Sequence, residues 1–254
     1  MPRLIRPSAL TRGAVFAPLG GAGRAGLVEQ RLTDAIVLGV LAHGERLPRE
    51  ADLAQSLGVA TVTAREALEA LRDKGLIKTT RGRGGGSFVI GHPNEQARIL
   101  DARLLLMSRV ELRDIGVYYA ALSSGAAGYA AEGASIDDVE NLLRIVNLTD
   151  FGEEGPTRRG EIDFHLELAA LSQSSRLVRE EIRFQAEIGP ILWLSMQDET
   201  CRNSTRNAHL QIVQAIQDVD AQAARQLTAE HVTATVDWLI ETKSDLERSQ
   251  RRHD

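Results

Sequence analysis

The sequence is poor in several things, and each shortage narrows what it can be. It has one cysteine in 254 residues, Cys201. A single thiol cannot close an intramolecular disulfide, so a scaffold stapled for an oxidising compartment is excluded. Aromatic residues make up only 4% of the chain. The core must therefore rest on aliphatic side chains, and the abundance of Ala, Leu, Glu and Arg favours helices. No apolar run is long enough to cross a bilayer: the longest uncharged stretch, Ile115 to Ala131, lies between Asp114 and Glu132 and is rich in Gly, Ala and Ser. It reads as a buried helix packed closely against its neighbours. Arginines near the N-terminus are not followed by the apolar core of a secretory signal. The expectation is a cytoplasmic protein with no membrane partner.

Positive charge is also in deficit, with 30 Lys and Arg against 35 Asp and Glu and a net charge of −5. That total argues against a uniformly basic binder of nucleic acid. The charge is segregated, however. Residues 1–92 carry 13 basic and 8 acidic side chains, a net of +5, and residues 93–254 carry 17 and 27, a net of −10. Such a division is expected if only the first part touches a polyanion.

What is present is concentrated between Leu47 and Val89, LPREADLAQSLGVATVTAREALEALRDKGLIKTTRGRGGGSFV. It reads as two short helices joined by a tight turn and followed by a glycine-arginine hairpin, the layout of a winged helix-turn-helix. Gly58 supplies the turn, and Leu53, Leu57, Val59, Ala67, Leu68 and Leu71 form the side that locks the helices together. Thr61, Thr63 and Arg65 near the start of the second helix can reach base edges or phosphates of double-stranded DNA. Arg81 and Arg83 supply charge to the wing, where Gly82 and Gly84 to Gly86 let the backbone approach the sugar-phosphate surface.

Residues 1–26 read as a flexible arm, 27–90 as the winged helix-turn-helix domain, 91–97 as a linker, 98–246 as an all-helical domain and 247–254 as a tail. An amphipathic helix over Leu27 to Leu41 precedes the motif. Breaks near Glu132 to Ser135, Gly152 to Gly160, Ser172 to Ser175, Gly189-Pro190 and Asp218 to Asp220 divide the C-terminal part into six or seven helices in one bundle. The fold class is mostly α. Ser135 with Asp138 makes an N-terminal capping pattern, and Asp220 can cap the last long helix.

Three histidines fall on helices of the C-terminal part: His165, His209 and His231. Glu161 precedes His165 by four residues, so the two share a helix face. Imidazoles and a carboxylate converging from three helices would suit zinc, nickel or manganese. Spacing alone leaves open the alternative that these are buried structural histidines.

Residues 27–90 resemble the DNA-binding domain of the GntR family of bacterial transcription regulators. The matching pieces are Gly44 to Pro48, Asp52 to Ala54, Gly58-Val59, Arg65 to Leu68, Gly75 to Ile77 and Gly82 to Val89. The helical remainder resembles the FCD-type effector domain of the FadR subfamily. The resemblance implies a homodimer reading a palindromic operator, most often as a repressor, with a small-molecule effector in the helical domain. It also implies that Glu161, His165, His209 and His231 hold a divalent metal, zinc first among the candidates, to which a carboxylate effector could bind.

The sequence departs from the family at several positions. Ala51 stands where the family commonly has arginine, and Ala60-Thr61 where it has Ser-Arg; Arg49 is placed to compensate. Glu161 stands where the first ligand is usually aspartate. Tyr119 occupies the position of an effector-binding arginine and Ser123 that of the glutamate following it. Tyr119 is thus the candidate effector contact. The competing readings are a hydrolytic metalloenzyme and a DNA-binding protein without an effector. No general base or nucleophile stands out for the first, so the sequence is read as that of a non-enzyme.

Overall fold

A computed structural model of the chain describes residues 16, 24–37, 41–82, 84–90 and 93–252. They fall into two compact units, Met1–Ile99 and Leu100–Asp254. Most of the arm read over residues 1–26 lies outside the described residues.

The first unit begins with α1 (Arg24–Val37), which buries Val28, Leu32, Ala35 and Ile36. Leu27, near the start of this helix, is 40% exposed, whereas Val28 is fully buried. Two helices follow, α2 (Glu50–Leu57) and α3 (Thr61–Asp73). Leu53, Ala54 and Leu57 pack against Ala64, Ala67, Leu68 and Leu71, while Val59 in the turn is half-buried. Gly58 ends α2 in the left-handed region at φ 65°, a conformation that glycine adopts without a Cβ clash. Strands β1 (Ile77–Thr80) and β2 (Gly86–Val89) pair antiparallel, Ile77 opposite Val89 and Thr80 opposite Gly86. The segment before α2 pairs with the other edge of β2: Leu47 donates to the Ser87 carbonyl at 2.9 Å, and Val89 to the Glu45 carbonyl at 2.9 Å.

Pro93 opens α4 (Pro93–Leu106), so residues 93–97 are helical where the sequence reads as linker. Proline fits a first helical position because its missing N–H has no helical acceptor there.

The second unit is helical throughout its described residues. A capping box, Ser108 with Glu111, starts α5 (Arg109–Gly133), and a second, Ser135 with Asp138, starts α6 (Ile136–Leu148). Then come α7 (Glu154–Leu171), α8 (Ser175–Glu187) and the four-residue α9 (Gly189–Leu192). A 3₁₀ turn (Trp193–Gln197) leads to α10 (Glu199–Gln217) and α11 (Ala221–Gln250), whose N-terminus is capped by Asp220. The break read over Gly152 to Gly160 is shorter than expected, because α7 runs through Pro156 and Gly160. Helix α11 also continues past residue 247, where a tail was expected.

Helices α5 and α11 run antiparallel, since Arg109 meets Glu247, Gly116 meets Val236 and Glu132 meets Arg225. Small residues on α5, among them Gly116, Ala127, Ala130 and Ala131, permit this close approach. The core behind them joins Leu142 and Val146 of α6, Phe164 and Leu168 of α7, and Ile212 and Ile216 of α10.

Candidate metal centre and nucleic-acid interface

The helical period of α7 places Glu161 and His165 one turn apart on its buried face. His209 comes from the middle of α10 and His231 from α11. All four are buried, and one ligand atom from each lies within 4.8 Å of the others. The carboxylate is the hub. Its Oε1 is 2.9 Å from Nε2 of His231 and 3.2 Å from Nε2 of His165, and its Oε2 is 3.0 Å from Nε2 of His209.

These short distances are not all hydrogen bonds. His231 Nε2 bonds Glu161 Oε1, but Glu161 Oε2, His165 Nε2 and His209 Nε2 are shielded from solvent with no partner in hydrogen-bonding geometry. Orphaned polar atoms in a core cost about 1–3 kcal/mol each. Lone pairs that converge on a point without bonding each other fit a shared cation. The 2.9–3.2 Å separations are also close to those between neighbouring ligands on a metal bound at about 2.1 Å. The residues present therefore fit a divalent metal.

Electrostatics agree with this fit at Glu161 and His209 and oppose it at His165, which must lose a proton to ligate. Burial would raise the Glu161 carboxyl, but His231, His209 and His165 hold it well below the usual carboxylate range. Burial lowers His165, yet Glu161 beside it carries it above its ordinary value. His209 is pushed down to about 4, as burial and the other imidazoles outweigh Glu161. An ionised carboxylate and a neutral imidazole are the forms that ligate a cation. Phe164 stacks on His209 at 3.7 Å between ring centroids and fixes its plane. Asp163, the other carboxylate near His165, is not part of the cluster.

Beside the cluster is a cavity lined by Tyr119, Glu161, Leu192, Trp193, Met196, His231, Val232 and Thr235, with about 10 Å³ for the centre of a water-sized group. That is room for about one water. Tyr119 faces it, but its hydroxyl is engaged: it lies 3.1 Å from Glu181 Oε1 and accepts from Gln185 Nε2 at 2.7 Å. Glu181 is buried, which raises its carboxyl despite His165, Gln185 and Tyr119 around it. Ser123 lies 3.5 Å from its other oxygen. The sequence reading missed Glu181 and Gln185. Their signal was the helical period of α8, which puts both with Val178 on one face; two adjacent glutamates, Glu180 and Glu181, masked it.

In the first unit, Arg49 is the exposed N-cap of α2, and Thr61, Arg65, Arg81 and Gly84 are exposed, with Thr63 half-buried. Arg83 lies outside the described residues. The wing hairpin turns through Gly82 and Gly84, at φ 102° and 92°, which side chains rarely tolerate. Its position is held by Arg46, which donates to the Gly85 carbonyl, and by the Thr79–Ser87 hydroxyl pair at 3.1 Å. Residues 46–50, Leu68 and the wing enclose a cleft of about 530 Å³. Arg65 Nε donates to Glu50 Oε2 at 3.0 Å. The pair was not legible in the sequence, because a partner 15 residues away leaves no periodic trace.

Comparison with known proteins places each unit. The profile of bacterial regulatory proteins, gntR family, matches residues 25–89, and that of the FCD domain matches residues 114–234. A Mycobacterium gastri protein named as an HTH-type transcriptional regulator, RmpR, is 36% identical over 94% of this chain and 88% of its own. The Uxu operon transcriptional regulator of Escherichia coli (strain K12) is 27% identical over 83% of this chain and 84% of its own. Among solved structures, Escherichia coli McbR/YncC shares the fold, with a TM-score of 0.51 at 17% identity over 87% of this chain and 99% of that one.

Proposed function

The chain belongs to the GntR family of bacterial regulatory proteins, with an FCD domain behind its DNA-binding module, and from that premise we propose that it is a ligand-responsive repressor of the FadR subfamily, reading a palindromic operator as a homodimer. Arg49, Thr61, Thr63, Arg65, Arg81, Arg83 and Gly84 are its DNA-contacting set. Glu161, His165, His209 and His231 hold a divalent metal, with zinc favoured by three imidazoles and one carboxylate. Bound there, the metal would supply Lewis acidity toward the carboxylate of a small organic acid.

The chain's own residues shape the rest of the effector site. None of the eight residues lining the cavity is Arg or Lys, so no side chain there offers an effector a second cationic anchor. Tyr119 contributes a wall, and Glu181 and Gln185 fix its orientation through its hydroxyl. Anything larger than one water must displace part of the wall formed by Leu192, Trp193 and Met196. An effector can change DNA binding only by favouring one arrangement of the protein over another. The relatives are named as transcription regulators, which gives an enzymatic reading of the centre no support.

The observation that carries this reading is the set of orphaned buried atoms on Glu161, His165 and His209. Its test is zinc content by mass spectrometry, together with DNA shifts on a sequence selected from a random library. Wild type should bind one equivalent, His209→Ala far less, and a small organic acid should change the shift only for the loaded protein. Equal, negligible zinc in both proteins would remove the metal centre from the proposal.

A further inference from the structure

Helix α3 carries one large hydrophobic side chain in solvent. Val62, its second residue, is 57% exposed, while every other large apolar side chain of the helix is buried. The fold gives no reason for it. A β-branched residue has lower helix propensity than alanine, and at this exposure burial returns little. A lone apolar residue on a surface is ordinary. This one, however, sits in the first turn of the helix, next to Thr61 and three residues from Arg65, on the face the two exposed residues share.

We propose that Val62 is a specificity-determining residue that reads the C5-methyl group of a thymine; this rests on the reading that α3 enters the major groove. In that groove the thymine methyl is the apolar feature of the base edges. Valine in a helix has one strongly preferred χ1 rotamer, so its two methyls are presented in one orientation with little freedom left to lose on docking. Arg65 shares the face and is likewise set in advance, by its 3.0 Å bond to Glu50. A fixed arginine suits the O6 and N7 acceptors of guanine. Glu66 and Glu69 lie on the same side of the helix but one and two turns further on. The first turn of α3 therefore carries no acidic side chain of its own, and Val62 lies in it. Half-sites bound by this chain should contain a thymine read through its methyl and a guanine read by Arg65.

The test removes the methyl from the DNA instead of from the protein alone. Full-length wild type is used to select duplexes from a random library, and each thymine of the selected sequence is then replaced singly by uracil. At one thymine in the half-site, uracil should weaken wild-type binding about fourfold, the worth of one buried methyl. Val62→Ser should bind the thymine and uracil duplexes equally. Val62→Thr, which keeps one methyl on a β-branched frame, should retain part of the discrimination. Circular dichroism and thermal melting check that the variants fold, and Val62→Thr carries the comparison if the serine variant does not. A wild type indifferent to every uracil would overturn the proposal, as would uracil sensitivity undiminished in the variants. Failure of the library to yield any preferred sequence would instead overturn the major-groove reading, and this inference with it.

Discussion

Glu161 stands between three imidazoles, with a carboxylate oxygen within 3.2 Å of a ring nitrogen of each. Glu161→Gln keeps the shape and removes the charge. Zinc affinity, measured by competition with a coloured chelator, should fall by more than the roughly 10–100-fold that follows loss of an outer partner of a ligand. Because Glu161 raises His165, that imidazole must release a proton to ligate. Wild-type affinity should therefore fall as pH is lowered from about 8 to about 6. Cys201 offers an independent check of local electrostatics. Burial, with Asp198 adding to it, pushes this thiol from 9.0 to about 11. The thiolate is the nucleophile, and a more basic thiolate attacks faster once formed, so near pH 8 alkylation of the folded protein should run about tenfold slower than that of an ordinary cysteine, accelerating about tenfold per pH unit until about 11. A rate matching that of the unfolded chain would contradict this placement. At this scale the four residues of the cluster were legible because helical spacing and a family resemblance both marked them. Glu181 and Arg46 were not, because their partners come from other segments.

Elements were legible where local chemistry decides them. Ser135 caps α6 through a box that needs only residues 135–138. Ser135→Ala should cost about 1 kcal/mol and lower the melting temperature by about 2–4 °C. The start of α7 was misread for a physical reason. Gly155, Pro156 and Gly160 read as a break, but Pro156 lies in the first turn, where no helical acceptor is lost. Gly160 is there for close packing, since a Cβ would collide with Thr149. A glycine chosen for contact looks in sequence like one chosen for a turn. Gly116 is of the same kind: a Cβ there would lie 3.0 Å from Val236 on α11. Gly116→Val should overpack the α5–α11 seam and cost about 1–3 kcal/mol in a thermal or denaturant melt. A neutral effect would mean the seam is looser than its distances imply.

Over the whole molecule, two units of opposite charge divide the work. DNA affinity should fall steeply with salt, because phosphate contacts release counterions. Zinc at about 1,000 times its Kd should stabilise the unit that binds it by about 4 kcal/mol. In a calorimetric scan, zinc should shift the transition of residues 100–254 while that of residues 1–99 stays in place; a shift in the other transition alone would place the metal elsewhere. The sequence by itself determined the mostly α fold, the helix-turn-helix and wing, the charge division and the candidate ligands, because periodicity, turn residues and motif spacing are local properties. Tertiary structure alone decided which atoms converge. It gathered Glu161 and three histidines from α7, α10 and α11, engaged the Tyr119 hydroxyl with Glu181 and Gln185, and left room for about one water beside them. Those outcomes depend on how helices distant in sequence pack side by side, and no window along the chain contains that information.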